Sequence, residues 1–151
     1  MKTVSYASAV ESLQYAQVCT RPDLAFLTGI LGRYQSNLGI EHWRMVKKAL
    51  CYLQGTKGLM LMYRRSYSQH IDGYSDSDFA GDVDDRKSTS GYIFTLPGGA
   101  ISWKSSKQTV TASSTMYAEF VACYEATGQV NWLKKFMPGL KVSDDIHRPL
   151  K

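Results

Sequence analysis

Apolar residues recur at helical spacing through the first third of the chain. From Ala7 to Cys19 they fall at Ala9, Val10, Leu13, Ala16 and Val18. This predicts a helix that stops at Thr20-Arg21-Pro22, because proline disfavours helical backbone in the residue before it. Pro22 suits the first turn of a second helix, with Leu24, Leu27, Leu31 and Tyr34 on one stripe and a stop at Asn37 to Gly39. Glu41 to Leu53 predicts a third, with Val46, Leu50 and Leu53 inward, Arg44, Lys47 and Lys48 outward, and Gly55 closing it. After Gly58 the pattern changes to short apolar runs. Leu59 to Tyr63, Ile71 to Ser75 and Thr89 to Leu96 predict strands, and Pro97-Gly98-Gly99 predicts a hairpin turn leading into Ala100 to Trp103. Ala112 to Phe136 is the longest helical pattern, with Met116, Phe120, Cys123, Thr127, Val130 and Lys134 along a shared face, and Pro138-Gly139 stops it. A small helical bundle is therefore expected ahead of an α/β unit.

Composition sharpens this reading. The chain has 151 residues with 44% apolar content, enough to build a core and too much for a disordered chain. Its net charge of +5 averages two unlike parts. Residues 1–66 carry nine basic against three acidic residues, a net of +6, whereas residues 67–151 carry nine against ten. Six of those ten acids are Asp72, Asp76, Asp78, Asp82, Asp84 and Asp85. A basic segment thus precedes an acidic spot, which suggests a polyanion-binding surface beside a cation site. Cys19, Cys51 and Cys123 are odd in number and far apart in apolar helical contexts, so they are expected to be buried small side chains in a reducing compartment, without a disulfide framework. No apolar run approaches the roughly 18 residues of a membrane span, and Met-Lys-Thr-Val-Ser-Tyr lacks the hydrophobic stretch of a signal peptide. A cytoplasmic or nuclear location is expected.

Chemistry concentrates at two carboxylates. Asp76 falls where the Ile71 to Ser75 strand ends, a position that holds a side chain rigidly, and Asp78, Asp82, Asp84 and Asp85 follow in a loop. Hard cations such as Mg²⁺ take oxygen ligands from carboxylates on different elements, although a solvated acidic loop explains the same cluster. An EF-hand is excluded, because the loop's twelfth position is Lys87 where that motif needs Glu. Glu119 lies within the long helix beside Phe120 and Cys123, where an unpaired carboxylate would be costly to bury; a boundary glutamate paired with lysine is the alternative. Ser113-Ser114-Thr115 suits a helix cap. His42, His70 and His147 show no metal-ligand spacing, and His42 beside Trp43 reads as packing. Trp103-Lys104-Ser105-Ser106-Lys107-Gln108 could contact phosphates or simply end a solvated strand.

Four ordered motifs over about fifty residues carry a resemblance. They are Gly73-Tyr74-Ser75-Asp76-Ser77-Asp78-Phe79-Ala80-Gly81-Asp82; Asp85-Arg86-Lys87-Ser88-Thr89-Ser90-Gly91-Tyr92; Ile101-Ser102-Trp103-Lys104-Ser105-Ser106-Lys107-Gln108; and Ser113-Ser114-Thr115 with Ala118-Glu119-Phe120. Together they resemble the ribonuclease H domain of copia-type retrotransposon Pol polyproteins, plant members most of all. Upstream, Tyr6-Ala7-Ser8-Ala9-Val10, Thr20-Arg21-Pro22-Asp23 and Tyr52-Leu53-Gln54-Gly55-Thr56 look like the segment that follows the reverse transcriptase core in the same polyproteins. Here Ser-Ser-Thr-Met-Tyr-Ala-Glu-Phe is one residue longer than the family's usual Ser-Ser-Thr-Glu-Ala-Glu-Tyr, which leaves the register of the helix start open.

The resemblance implies an α/β chain: a helical reverse transcriptase connection segment over 1–58, then an incomplete ribonuclease H-like fold over 59–151, with a three-stranded antiparallel sheet and a long helix. It implies that the family degrades the RNA strand of RNA–DNA hybrids with two Mg²⁺ ions, and that Asp76 and Glu119 are catalytic and metal-binding residues. The family's later catalytic acids, in a Cys-Asp-Asn-like motif and beyond, have no counterpart here, since Asp144 and Asp145 lie in a polar Ser-Asp-Asp-Ile-His context. The expected function is accordingly that of a Pol fragment, inactive alone, whose partners are the hybrid and the rest of the polyprotein, with no membrane and no disulfide partner. Two alternatives stand beside it: a non-catalytic nucleic-acid-binding module acting through the basic helical half, and a decayed reading frame without function.

Overall fold

The computed structural model describes residues 5–64 and 70–140. They fall into two compact units, Met1–Met60 and Leu61–Lys151.

In the first unit, α1 (Tyr6–Cys19), a 3₁₀ turn (Pro22–Leu24), α2 (Ala25–Arg33) and α3 (Ile40–Gly55) form a helical bundle. Ser5 caps α1 by accepting a hydrogen bond from the Ser8 amide at 3.2 Å. Val10, Leu13, Leu31 and Val46 are fully buried at its centre, with Leu27, Trp43 and Leu53 packed around them. Leu50, expected inward, is exposed instead. The inward stripe of α3 runs Val46, Ala49 and Leu53, and Leu50 lies about 100° around the helix from Ala49. A polar knot secures the chain at Pro22: the buried Arg21 makes a two-point ion pair with Asp23 at 3.0 and 2.7 Å and donates to Thr56 Oγ1 at 2.8 Å. The Tyr52 hydroxyl donates to Asp23 at 2.6 Å, and the Arg21 guanidinium lies 5.2 Å from the Tyr52 ring centroid. This knot ties the turn between α1 and α2 to the end of α3.

The second unit is an antiparallel sheet, order β1-β2-β3, with one long helix across it. Its elements are β1 (Asp72–Ser77), β2 (Thr89–Leu96), β3 (Gly99–Lys107), α4 (Thr115–Phe136) and a 3₁₀ turn at Met137–Leu140. The mixed α/β class with a three-stranded antiparallel sheet is as expected. Leu59 to Tyr63, however, forms no strand. Its attachment is local: Tyr63 Oη donates to the Ala100 carbonyl at 2.6 Å and the Arg64 amide to Pro97 at 3.1 Å. The hairpin closes through Pro97-Gly98, with Leu96 facing Gly99 and Gly98 at φ +100°, which only glycine adopts freely. β3 runs four residues past Trp103, because Lys104, Ser105, Ser106 and Lys107 pair with Tyr92, Gly91, Ser90 and Thr89. Their polarity hid the strand from the apolar pattern.

Strand alternation sets two faces. Gly73, Ser75 and Ser77 of β1 stand opposite Phe94, Tyr92 and Ser90 of β2, on the side that α4 covers. Phe94, Ile71, Ala126, Leu133 and Met137 form the core there. Gly73 makes room for it, since a Cβ at that position would stand 2.5 Å from the Phe94 ring. The face that α4 turns inward is Ala118, Ala122, Ala126 and Leu133, not the row Met116–Phe120–Cys123 suggested by apolar spacing; all three of those residues are exposed. Small alanines let the helix lie close to the sheet, which size-blind hydrophobic periodicity does not register.

Candidate functional site

Asp76 is the fifth of six residues in β1 and pairs with Gly91, so the ladder holds its backbone on one side. Its carboxylate is exposed, and Oδ1 accepts the Ser77 amide at 2.9 Å. Glu119 is the fifth residue of α4, whose cap is Ser114, accepting from the Tyr117 amide at 3.2 Å. The cap falls within the expected Ser113-Ser114-Thr115, and it fixes the helix register. The Glu119 side chain is half-buried and, among the described residues, makes no hydrogen bond or ion pair. The burial cost anticipated beside Phe120 and Cys123 does not arise, because both are exposed.

The register of helix against strand relates the two carboxylates. Cys123 Sγ lies 3.3 Å from Ser75 Oγ. One helical turn back from Cys123, about 6 Å along the axis, is Glu119; two residues on from Ser75, about 6.6 Å, is Ser77. Because α4 runs antiparallel to β1, Glu119 is level with Asp76 and Ser77, at the end of β1. Alternation makes Asp76 leave the strand on the face opposite Ser75 and Ser77. The two residues are thus level along the β1–α4 pair, at the sheet edge that has no further strand among the described residues, but the Asp76 side chain leaves on the sheet face away from α4.

A buried amide holds this end together. Gln108 is 1% exposed, and its Nε2 donates both to Ser90 Oγ and to the Ala118 carbonyl, each at 2.9 Å. Its own amide donates to Ser88 at 2.8 Å. Ser90 is the register partner of Ser77, so one side chain links the residue before Glu119 to the strand beside Asp76. Gln108 was grouped with the phosphate-contact candidates in the sequence; its structural role has no signature there, since a glutamine after a polar strand reads as solvated.

Three of the other aspartates, Asp78, Asp82 and Asp85, serve the loop itself. Asp78 Oδ1 accepts the Thr89 amide at 2.5 Å, and Lys107 Nζ bridges Asp82 and Asp85 at 2.7 Å each. These contacts raise the Lys107 pKa, through Asp82 first and Asp85 second, and Lys107 lowers that of Asp85. Lys107 is therefore a clasp across the acidic loop and not a free phosphate contact. Among the described residues no group of three or more Asp, Glu, His or Cys side chains is arranged to hold a metal ion. Much of the acidic spot is a loop staple, and among the described residues Asp76, Asp84 and Glu119 have carboxylates that no ion pair claims. Asp144, Asp145 and His147 lie outside the described residues.

On the helical unit, Arg44, Lys47 and Lys48 are exposed along α3, as the pattern predicts. Lys47 lies 5.8 Å from the ring centroid of Trp43, which packs on the core, and Arg44 pairs with Glu41 at 2.5 Å. His42 Nδ1 accepts the Gly39 amide at 3.0 Å and the ring stacks on Tyr34 at 4.0 Å, a helix-start role. The three cysteines, expected to be buried, are all exposed and free. On α3, Cys51 falls outside the inward stripe; on α4, Cys123 flanks the alanine face.

The chain is 49% identical, over 140 residues and 93% of its length, to a retrovirus-related Pol polyprotein from transposon TNT 1-94 of Nicotiana tabacum. It is 34% identical over 137 residues to the Pol polyprotein from transposon RE2 of Arabidopsis thaliana. The chain belongs to the copia-type Pol polyproteins of plant transposons. It spans about a tenth of the length of these polyproteins, 10% and 9% respectively. It is also 46% identical over 133 residues to a secreted RxLR effector protein of Plasmopara viticola, covering 88% of this chain and 94% of that protein. No protein-family model and no solved structure matches it. No helix among the described residues is long and apolar enough to cross a membrane.

Proposed function

We propose that this segment of a copia-type Pol polyprotein contributes part of a ribonuclease H site that degrades the RNA strand of RNA–DNA hybrids, and that it does not cleave alone. The observation that carries the reading is the pair Asp76 and Glu119 at the end of β1 and α4 where Gln108 bridges helix and sheet. Both are hard oxygen donors unclaimed by any ion pair among the described residues, and they fit Mg²⁺. When bound, such ions activate a water and stabilise the leaving oxygen of a phosphodiester. Asp76 and Glu119 would hold one side of that charge. Two carboxylates are fewer ligands than a metal pair needs, and no group of three or more is arranged to hold a metal among the described residues.

Incubating the purified chain with labelled RNA–DNA hybrid and Mg²⁺ tests the second half of the reading: no cleavage is expected, and cleavage abolished by Asp76→Asn would sink it. Titration with Mn²⁺ by NMR tests the first half. Paramagnetic broadening is expected at resonances of Asp76, Ser77 and Glu119 and is lost in Asp76→Asn. Absence of broadening there at millimolar Mn²⁺ removes the metal role.

A second reading, a nucleic-acid-binding module without catalysis, is favoured by the net +6 of residues 1–66 and the exposed Arg44, Lys47 and Lys48. Binding through three such residues predicts an affinity falling with salt at a log–log slope of about −2 to −3. Salt-independent or absent binding to hybrid and duplex refutes it.

A further inference from the structure

Hydrogen-bonding capacity is left over in the layer between the sheet and the first turns of α4. Gln108 is 1% exposed and Ser90 2% exposed. Gln108 Oε1 is buried with no partner among the described residues, and so is Ser77 Oγ. Native structures rarely leave such atoms unpaired, because each loses its bonds to water and gains none in return. Turning the Gln108 amide over does not relieve it. The Ala118 carbonyl can only accept, so the NH2 end of the side chain must face it and Oε1 must face away. Ser90 has capacity to spare as well: its Oγ accepts from Gln108 Nε2 at 2.9 Å, and its own proton has no acceptor among the described residues.

The three groups converge. Ser77 and Ser90 are register partners on the face that α4 covers, which sets their Cβ atoms about 4.5–5.5 Å apart, yet the two hydroxyls share no hydrogen bond. Amide geometry puts Oε1 about 2.2 Å from Nε2, and hence within about 5 Å of Ser90 Oγ. A gap too wide for a direct bond, bounded by two hydroxyls and an amide oxygen, matches the surroundings of an internal water, which makes about three hydrogen bonds to otherwise unsatisfied polar groups. All three groups are neutral, which favours a neutral occupant over a cation.

We propose that one internal water is held between Ser77, Ser90 and Gln108. It accepts the Ser90 hydroxyl proton and donates to Gln108 Oε1 and Ser77 Oγ. It joins the last residue of β1 to β2 and, through Gln108, to the first turns of α4. Neither Asp76 nor Glu119 is among its partners, so the water does not depend on metal binding at those carboxylates.

Oxygen-17 magnetic relaxation dispersion on the full chain, which counts long-lived internal waters, tests this. Ser77→Ala and Gln108→Leu are each expected to lower the count by one, and the exposed Thr109→Ala to leave it unchanged. Circular dichroism establishes that each variant is folded; if Gln108→Leu is not, Ser77→Ala decides alone. Ser77→Ala is also expected to lower the urea midpoint, whereas removing a hydroxyl that truly lacks a partner would raise it. No long-lived water in the unsubstituted chain, an unchanged count in folded Ser77→Ala, or a raised midpoint in that variant overturns the proposal.

Discussion

The side-chain amide of Gln108 donates to the carbonyl oxygen of Ala118 at 2.9 Å from a fully buried position. This bond, with the one to Ser90, sets the height of the first turns of α4 against the sheet, and with it the position of Glu119. Replacing Gln108 by Leu keeps the volume but removes two hydrogen bonds, while relieving Oε1, which has no partner. The net loss is expected to be about 1–2 kcal/mol. Urea denaturation of the two proteins measures it, and an unchanged midpoint would remove Gln108 from its role.

What the sequence made legible follows from side-chain type. The helical bundle was readable because Leu24, Leu31 and Val46 repeat at helical spacing, and β2 because Thr89 to Leu96 is bounded by a Pro-Gly turn. The end of β3 was not readable, since Ser105, Ser106 and Lys107 enter a ladder through backbone groups that carry no hydrophobic signal. Nor was the buried face of α4: Ala118, Ala122 and Ala126 are weak in any hydropathy pattern, and the conspicuous Met116 and Phe120 drew the expected core to the wrong side. At the site, Asp76 stands out in the sequence by its place at a strand end and Glu119 by its place within the long helix, whereas a joint catalytic role is what the motif resemblance implies. The role of Asp82 and Asp85 depends on Lys107, which reaches the loop because β3 pairs as far as that residue.

Gly73→Ala is expected to destabilise the second unit. The added methyl would stand 2.5 and 2.8 Å from two carbons of the fully buried Phe94 ring, beneath α4. Overpacking of this kind costs about 1–3 kcal/mol. Gly55→Ala meets nothing within 4 Å and serves as the control, leaving thermal unfolding of the second unit unchanged. Differential scanning calorimetry of the pair checks the contrast.

Lys107→Met opens the acidic loop without unfolding the sheet. The lysine is the bridge between Asp82 and Asp85, whose like charges then face each other. Amide exchange is expected to quicken at Asp82 and Arg86, which bond to the Lys87 and Asp82 carbonyls, while the amides of Tyr92 and Phe94 in β2 stay protected. Equal exchange in both proteins would show that backbone turns alone hold the loop. Added salt should reproduce part of the effect in the unsubstituted protein.

Acid weakens the first unit through Asp23. Its pKa is lowered chiefly by the hydrogen-bonded Arg21, assisted by the Tyr52 hydroxyl and opposed by partial desolvation. A carboxyl depressed in the folded state contributes stability that is fully present above its unfolded value, near 3.8, and lost as pH falls through the lower folded value. The slope of stability against pH should therefore steepen below about pH 4. In Asp23→Asn that part of the slope disappears, and the protein is weaker at neutral pH because the buried Arg21 loses its charged partner while keeping Thr56. Raising the pH does not restore the variant, which separates loss of the ion pair from a general sensitivity to acid. Urea midpoints at pH 3, 5 and 7, followed by the fluorescence of Trp43 in the helical core, give the comparison; a parallel pH profile in the two proteins would assign the acid sensitivity to other groups.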